Sequence, residues 1–262
     1  MSVIGVKPWN PPASMNLEDA HHLKVGAIAG DTRTPEISAR RAPPRGLARP
    51  KVAVDSVLFA IEGGRLRCYL VQLKGGKLAG KWAFPGGLVR VGEMLDHAAK
   101  RELYDATGLT EPYLEQLFTF GDPSRDPVSH VVSVAYMALV DDPAAVRSCS
   151  GKYAAGRWFE PPRLPPLAYD HALMAGYALR RLKSKLEYTN IACNLLARTF
   201  TFAELEELYA MVLDRELDRR NFRRRILAMG LLKRMPRKRH GPHRPAALYR
   251  FTRRSLQVIE ML

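Results

Sequence analysis

One stretch constrains this chain more than any other. From Gly87 to Leu109 it fixes a spacing: a glycine, five residues, Glu93, seven residues, Arg101-Glu102-Leu103, one residue, Asp105-Ala106, one residue, Gly108-Leu109. The spacing predicts a helix over Leu95–Thr107, closed by Gly108 as its left-handed C-terminal residue. Leu95, Ala99 and Leu103 recur every fourth residue and are expected to face a core. Residues three and four apart share a helix face, so Glu102, Asp105 and position 106 are expected to converge. Carboxylates gathered in this way can hold hard divalent cations, which take oxygen ligands. Here an alanine stands at 106, and Asp105 has a shorter reach than Glu. Position 106 therefore offers no ligand.

The stretch resembles the Nudix box, which carries a Glu pair where this chain has Asp105-Ala106. The resemblance implies a Nudix α/β/α sandwich. Arg101 would pair with a carboxylate and orient it, and Gly86 and Gly87 would let phosphates approach the backbone closely. Glu93, Arg101, Glu102, Asp105 and Ala106 then form a vestigial box with no catalytic residue assigned. No cofactor is required; Glu102 and Asp105 are the remaining candidates for a weak Mg site, relevant only if hydrolysis persists.

Around the box, residues 51–61 and 67–73 read as strands about a Gly63-Gly64 turn. Residues 131–140 read as a buried strand, and Arg157-Trp158-Phe159 as part of another. Residues 161–166 (Pro-Pro-Arg-Leu-Pro-Pro) read as a stiff linker. Asp170 is expected to cap a helix to about Leu186, with Leu173, Tyr177, Leu182 and Leu186 on one broad side. Residues 1–49, rich in Pro, Arg and Ala, read as a loosely attached tail. The organisation expected is therefore a tail (1–49), an effector-binding domain (50–161), a linker with a connecting helix (162–189) and a basic domain (190–262).

Charge separates the two domains. Residues 50–161 hold 13 basic and 13 acidic side chains, whereas residues 190–262 hold 16 basic and 7 acidic. A basic segment of this kind points to an anionic polymer as partner. Thr201-Phe-Ala-Glu204 has capping-box spacing and starts a helix. Asp218 is placed to cap a second helix over 219–229, with Phe222, Ile226 and Met229 on one face. Arg219, Arg220, Arg223 and Arg224 crowd the rest, with Asn221 at the edge. Strands at 231–235 and 246–251 flank a loop carrying Arg237, Lys238, Arg239 and Arg244. Helix, turn, Arg-rich helix and basic hairpin describe a winged helix-turn-helix, in which Arg reads the major groove and the wing meets phosphate. The plainer reading is a solvated charged face. The scattered Cys68, Cys149 and Cys193 lack metal-ligand spacing, which fits a reducing, cytoplasmic setting. No secretory signal and no membrane partner are expected.

Taken together, the two halves resemble the NrtR family of Nudix-related transcriptional regulators. The marks are Trp82-Ala-Phe-Pro-Gly-Gly87 with the altered box, Phe120-Gly-Asp-Pro, Arg125-Asp126-Pro127, Ser133-Val-Ala-Tyr136, Leu167-Ala-Tyr-Asp-His171, Leu186-Glu-Tyr-Thr189, Phe200-Thr-Phe and Asp218-Arg-Arg-Asn-Phe-Arg-Arg-Arg225. The resemblance implies a homodimeric repressor of NAD-metabolism genes on a palindromic operator in duplex DNA, with ADP-ribose or a related nucleotide as effector. The effector site expected is Lys74, Trp82, Phe84, Gly86, Gly87, Arg101, Glu102, Arg125, Asp126 and His130. From the residues alone, Arg125, Asp126 and His130 either line a pocket or cap a turn. The rival functions are an active Nudix hydrolase of ADP-ribose with a basic accessory domain, and an RNA-acting Nudix protein.

Overall fold

Side-chain alternation on two parallel strands sets the architecture. The computed structural model describes residues 49–147, 151–240 and 245–259. Arg244, Cys149 and the expected tail up to residue 48 lie outside them. The elements are β1 (Lys51–Glu62), β2 (Arg65–Leu73), β3 (Trp82–Ala83), β4 (Gly86–Leu88), α1 (Leu95–Thr107), β5 (Tyr113–Phe120), β6 (Val131–Leu139), β7 (Tyr153–Phe159) and α2 (His171–Tyr188). After these come β8 (Phe200–Thr201), α3 (Phe202–Leu213), α4 (Arg219–Ala228), β9 (Leu232–Arg239) and β10 (Ala246–Phe251).

β1 and β6 run parallel at the centre of a sheet ordered β3-β2-β1-β6-β5, with β4 added to β1 and β7 to β2. Strands covered on both faces are apolar throughout rather than alternating. Val54, Leu58 and Ala60 of β1 join Val134, Tyr136 and Ala138 of β6 in packing with α1. Val57 and Phe59 join Ala135, Met137 and Leu139 in packing with α2. Two helix layers therefore cover one sheet, the α/β/α sandwich that the box implied.

α1 has the bounds read from the sequence and ends on Gly108 at φ 72°. α2 differs in two respects. Asp170 holds the N-cap position but makes no capping bond, because Arg125 takes its carboxylate at 2.7 Å. Leu173 is exposed; the 3.6-residue period puts Met174, Ala178, Leu182 and Leu186 on the buried stripe instead. The Pro-rich stretch before α2 lies along the first sheet. Leu167 bridges to Trp82, and Ala168 N–H donates to the Trp82 carbonyl at 2.7 Å.

One apolar cluster then continues from Phe59 and Met137 through Leu182 and Leu186 to Leu208, Tyr209 and Phe222. The two halves of the chain share a core, and α2 is the element common to both. In the second half, β8-β10-β9 form a small sheet beside α3 and α4. The capping box of α3 is complete: Thr201 Oγ1 accepts from Glu204 N–H, and the Glu204 carboxylate accepts from Thr201 N–H at 2.7 Å. Asp214, at φ 55°, ends α3 and opens the turn to α4, where the Asp218 carboxylate accepts from Asn221 N–H. Arg237, Lys238 and Arg239, expected in the wing loop, lie on β9, which is longer than its sequence predicted. β9 is an edge strand and therefore tolerates Pro236 within it. No helix among the described residues is long and apolar enough to cross a membrane.

Candidate functional site

The short turns around β4 bring the end of β3, the middle of α1 and the start of α2 to one opening. A cavity of about 590 Å³ lies there, within the usual range for small-molecule sites. Of the sequence-derived set, Phe84, Gly86, Gly87, Arg101, Glu102, Arg125 and Asp126 line it. Lys74, Trp82 and His130 do not. Lys74 reaches the Gly151 carbonyl at 3.4 Å, Trp82 packs edge-on against Phe159, and His130 is exposed. Lys51, Asp55, Arg90, Lys152, Tyr153, Tyr169 and His171 also line the cavity; none was singled out for it from the sequence. Five basic and three acidic side chains border it, a surplus of positive charge.

The box itself is rearranged. Glu102 is buried, and its Oε1 accepts from Arg101 at 2.5 Å while its Oε2 accepts from Lys152 Nζ at 2.6 Å. Lys152 also donates to the Gly86 carbonyl at 2.6 Å. Burial opposes charge on Lys152, yet Tyr153 and Glu102 outweigh it and hold its pKa above the ordinary value. Arg101 forks onto Glu93 at 2.7 Å to both carboxylate oxygens, and holds that carboxyl down to about 2. The expected pairing of Arg101 is therefore present.

The expected convergence of positions 102, 105 and 106 is not. Asp105 does not line the cavity, and Ala106 is 1% exposed beneath Leu58, Tyr69, Leu103 and Tyr153. One further helical turn carries position 106 under the sheet, away from the opening where Glu102 sits. A divalent cation demands several oxygen ligands. Here one carboxylate faces the cavity from the box, and two protein cations already hold it. Among the described residues no group of three or more His, Cys, Asp or Glu is arranged for a metal ion. The residues present do not fit one.

The glycines earn their place through these carboxylates. A Cβ on Gly86 would strike the Asp55 carboxylate and the Val54 carbonyl, and one on Gly87 would strike the Glu102 carboxylate. Backbone and acid are in contact before any phosphate arrives.

Asp55 anchors a second buried network. Ser133 Oγ donates to it, and Arg125 lies 3.7 Å away while forking onto Asp170. Phe84 N–H donates to His171 Nδ1 at 2.9 Å, so the ring proton sits on Nε2, 3.5 Å from Asp55. Burial would raise the Asp55 carboxyl, and His171, Ser133 and Arg125 reverse that and hold it below its ordinary range. Since Nδ1 accepts, the imidazole acts through its N–H dipole and Arg125 supplies the positive charge. Tyr169 completes the wall in a left-handed conformation, φ 55°, with its ring against His171 and facing Arg125. A bulky residue held there is strained, and its ring borders the cavity. Arg125 lines the cavity and holds Asp170 at the start of α2, while the turn is capped by Asp126, whose Oδ1 accepts from Val128 N–H at 2.7 Å.

On the second half, Phe222 and Ile226 bury one face of α4, while Arg219, Arg220, Arg223 and Arg224 are exposed. Arg223 stacks 4.5 Å over Phe202 and donates to Tyr249 Oη, and Arg224 donates to Asn221 Oδ1 at 2.8 Å. Arg239 pairs with Glu204 at 2.5 Å, tying β9 to the start of α3. Arg237 and Lys238 are exposed on β9. A basic helix and a basic strand edge thus lie on one module, as a winged helix requires.

Comparison with known proteins agrees with this geometry. Residues 49–181 match the NUDIX domain family, and residues 192–251 match the NrtR DNA-binding winged helix domain. The chain is 32% identical over 205 residues to the ADPR responsive transcriptional repressor NtrR of Acinetobacter baylyi, covering 77% of this chain and 82% of that one. It is 34% identical over 122 residues to an ADP-ribose pyrophosphatase of Methanocaldococcus jannaschii, covering 47% of this chain and 69% of that one. The crystal structure of Shewanella oneidensis NrtR complexed with a 27mer DNA is similar at a TM-score of 0.70 and 32% identity, covering 77% of this chain and 93% of that one. The chain belongs to the NrtR family, in which a NUDIX domain is joined to a DNA-binding winged helix.

Proposed function

We propose that this protein is an ADP-ribose-responsive transcriptional repressor that binds duplex DNA through α4 and β9 and does not hydrolyse its effector. The observation that carries this reading is α2: His171 at its start walls the cavity, and Leu182 and Leu186 farther along belong to the core shared with α3 and α4. A ligand that prefers one placement of α2 shifts the DNA-binding module with it. Arg125, Tyr169 and the surplus positive charge suit a nucleoside diphosphate. Similarity to a repressor named as responsive to ADPR supports the same effector. The protein acts as a homodimer on a palindromic operator, its α4 helices about 34 Å apart, and controls genes of NAD metabolism.

The test is a gel shift on the DNA upstream of the protein's own gene, titrated with ADP-ribose. Release of DNA is expected; equal binding with and without excess ADP-ribose defeats the sensing claim. Likeness to a pyrophosphatase keeps one rival in view. Magnesium-dependent release of AMP and ribose 5-phosphate at a useful rate would establish the enzyme in place of the silent sensor.

A further inference from the structure

We propose that the Lys152 ammonium is a built-in cation that receives the effector's diphosphate where a Nudix enzyme would use divalent metal, so that binding is independent of metal. The inference rests on the ADP-ribose reading above. Three observations lead to it. Lys152 reaches the one box carboxylate facing the cavity, with Nζ at 2.6 Å from Glu102 Oε2. It lines the cavity with its side chain 43% exposed, although the carboxylate it holds is buried. Its second contact, to the Gly86 carbonyl at 2.6 Å, fixes the ammonium beside the glycine turn where phosphate would approach.

The chemistry separates binding from turnover. A divalent cation attracts phosphate oxygens and also acidifies bound water into a nucleophile. An ammonium supplies the attraction as a compact point charge with three donors, but it has no vacant orbital for water. Glu102, gripped by Arg101 on one oxygen and Lys152 on the other, is committed to the two cations as well. Diphosphate held by Lys152 therefore meets charge without an activated nucleophile, and a sensor built this way keeps its signal intact.

Lys152 carries no motif of its own. It meets Glu102 across 50 residues of sequence, which is why spacing within the box does not reveal it.

The experiment is calorimetric titration of the full-length protein with ADP-ribose, in EDTA and again in excess Mg²⁺. Wild-type affinity is expected to agree within about twofold between the two buffers. Lys152→Met is expected to weaken binding in EDTA by about 10- to 100-fold, the loss of a charge-assisted contact, and Lys152→Arg is expected to keep most of it. Wild-type binding that requires Mg²⁺ overturns the inference alone. An unchanged affinity for folded Lys152→Met in EDTA also overturns it. Absence of binding in both buffers removes the ADP-ribose reading and the inference with it. If Lys152→Met fails to fold, as judged by thermal melting, the wild-type comparison still decides.

Discussion

Adding a carboxylate to the box is the obvious way to seek hydrolysis, and the structure predicts that it damages the fold instead. Ala106 is 1% exposed among Leu58, Ala60, Tyr69, Val71, Leu103 and Ala138. Ala106→Glu forces a longer side chain into that cluster, which costs about 1–3 kcal/mol by overpacking. The introduced carboxyl must also lose its charge to stay buried. Holding it protonated at neutral pH, from an ordinary value near 4.3, costs about 3.7 kcal/mol at 1.36 kcal/mol per pH unit. The total, about 5–7 kcal/mol, rivals the stability of a whole domain. Ala106→Met adds comparable bulk without charge and isolates the packing part. The folded-state pKa of the introduced acid is raised, so its penalty is absent below the unfolded value and grows as pH rises above it. Urea denaturation at neutral pH is expected to separate the two variants by about 3–4 kcal/mol, shrinking below about 1 kcal/mol near pH 4. Equal stability of the Glu and Met variants at neutral pH, or the appearance of Mg²⁺-dependent hydrolysis, would show that position 106 opens to the cavity and refute the argument.

Arg125→Ala leaves the buried Asp55 and the half-buried Asp170 without their shared cation; a loss of about 3–5 kcal/mol is expected in denaturant titration, and a loss below about 1 kcal/mol would mean that water replaces the guanidinium. The folded-state pKa of Asp55 is depressed, so its contribution is full above the ordinary value near 4 and is lost as pH falls through the folded one. Asp55→Asn is expected to flatten the acid limb of the melting profile below about pH 4, and an unchanged limb would assign acid unfolding to other carboxylates. Thr201→Ala breaks the capping box of α3 and is expected to cost about 1 kcal/mol, read as a fall of roughly 2–4 °C in Tm. Lys238→Ala is expected to lower the salt dependence of operator binding by about one unit of slope; an identical slope would take β9 off the phosphate backbone.

How much of this was legible in the sequence depended on how local the signal was. α1, its Gly108 terminator and the capping box of α3 rest on contacts within four residues, and each stands where spacing placed it. β6 was legible because its run, apolar except for Ser133, is buried on both faces. β5 was not, since its residues are mostly half-buried or exposed and follow no clean alternation. The pocket divides in the same way. Phe84, Gly86, Gly87 and Glu102 come from one short motif. Asp55, Lys152 and His171 enter only through pairings 50 to 87 residues apart, such as Phe84 with His171, and no periodicity records those. Position 106 misled for a related reason. Residues that share a helix face need not share an environment when the helix passes beneath a sheet.

α2 is a rod with 18 residues, roughly 27 Å from end to end. Its near end is bolted to the cavity by the Arg125–Asp170 fork and by His171. Its far end is clamped to the C-terminal segment, where Ile259 N–H donates to the Tyr188 carbonyl and Gln257 N–H donates to Asn190 Oδ1, both at 2.7 Å. Such a rod has mechanical advantage. A tilt of about 5° at the cavity end displaces the other end by about 2 Å, the scale of helix shifts in known switches. The core it shares with α3 leaves little slack in which that displacement can dissipate. Two copies geared in this way would change the span between their DNA-reading helices by twice the single stroke.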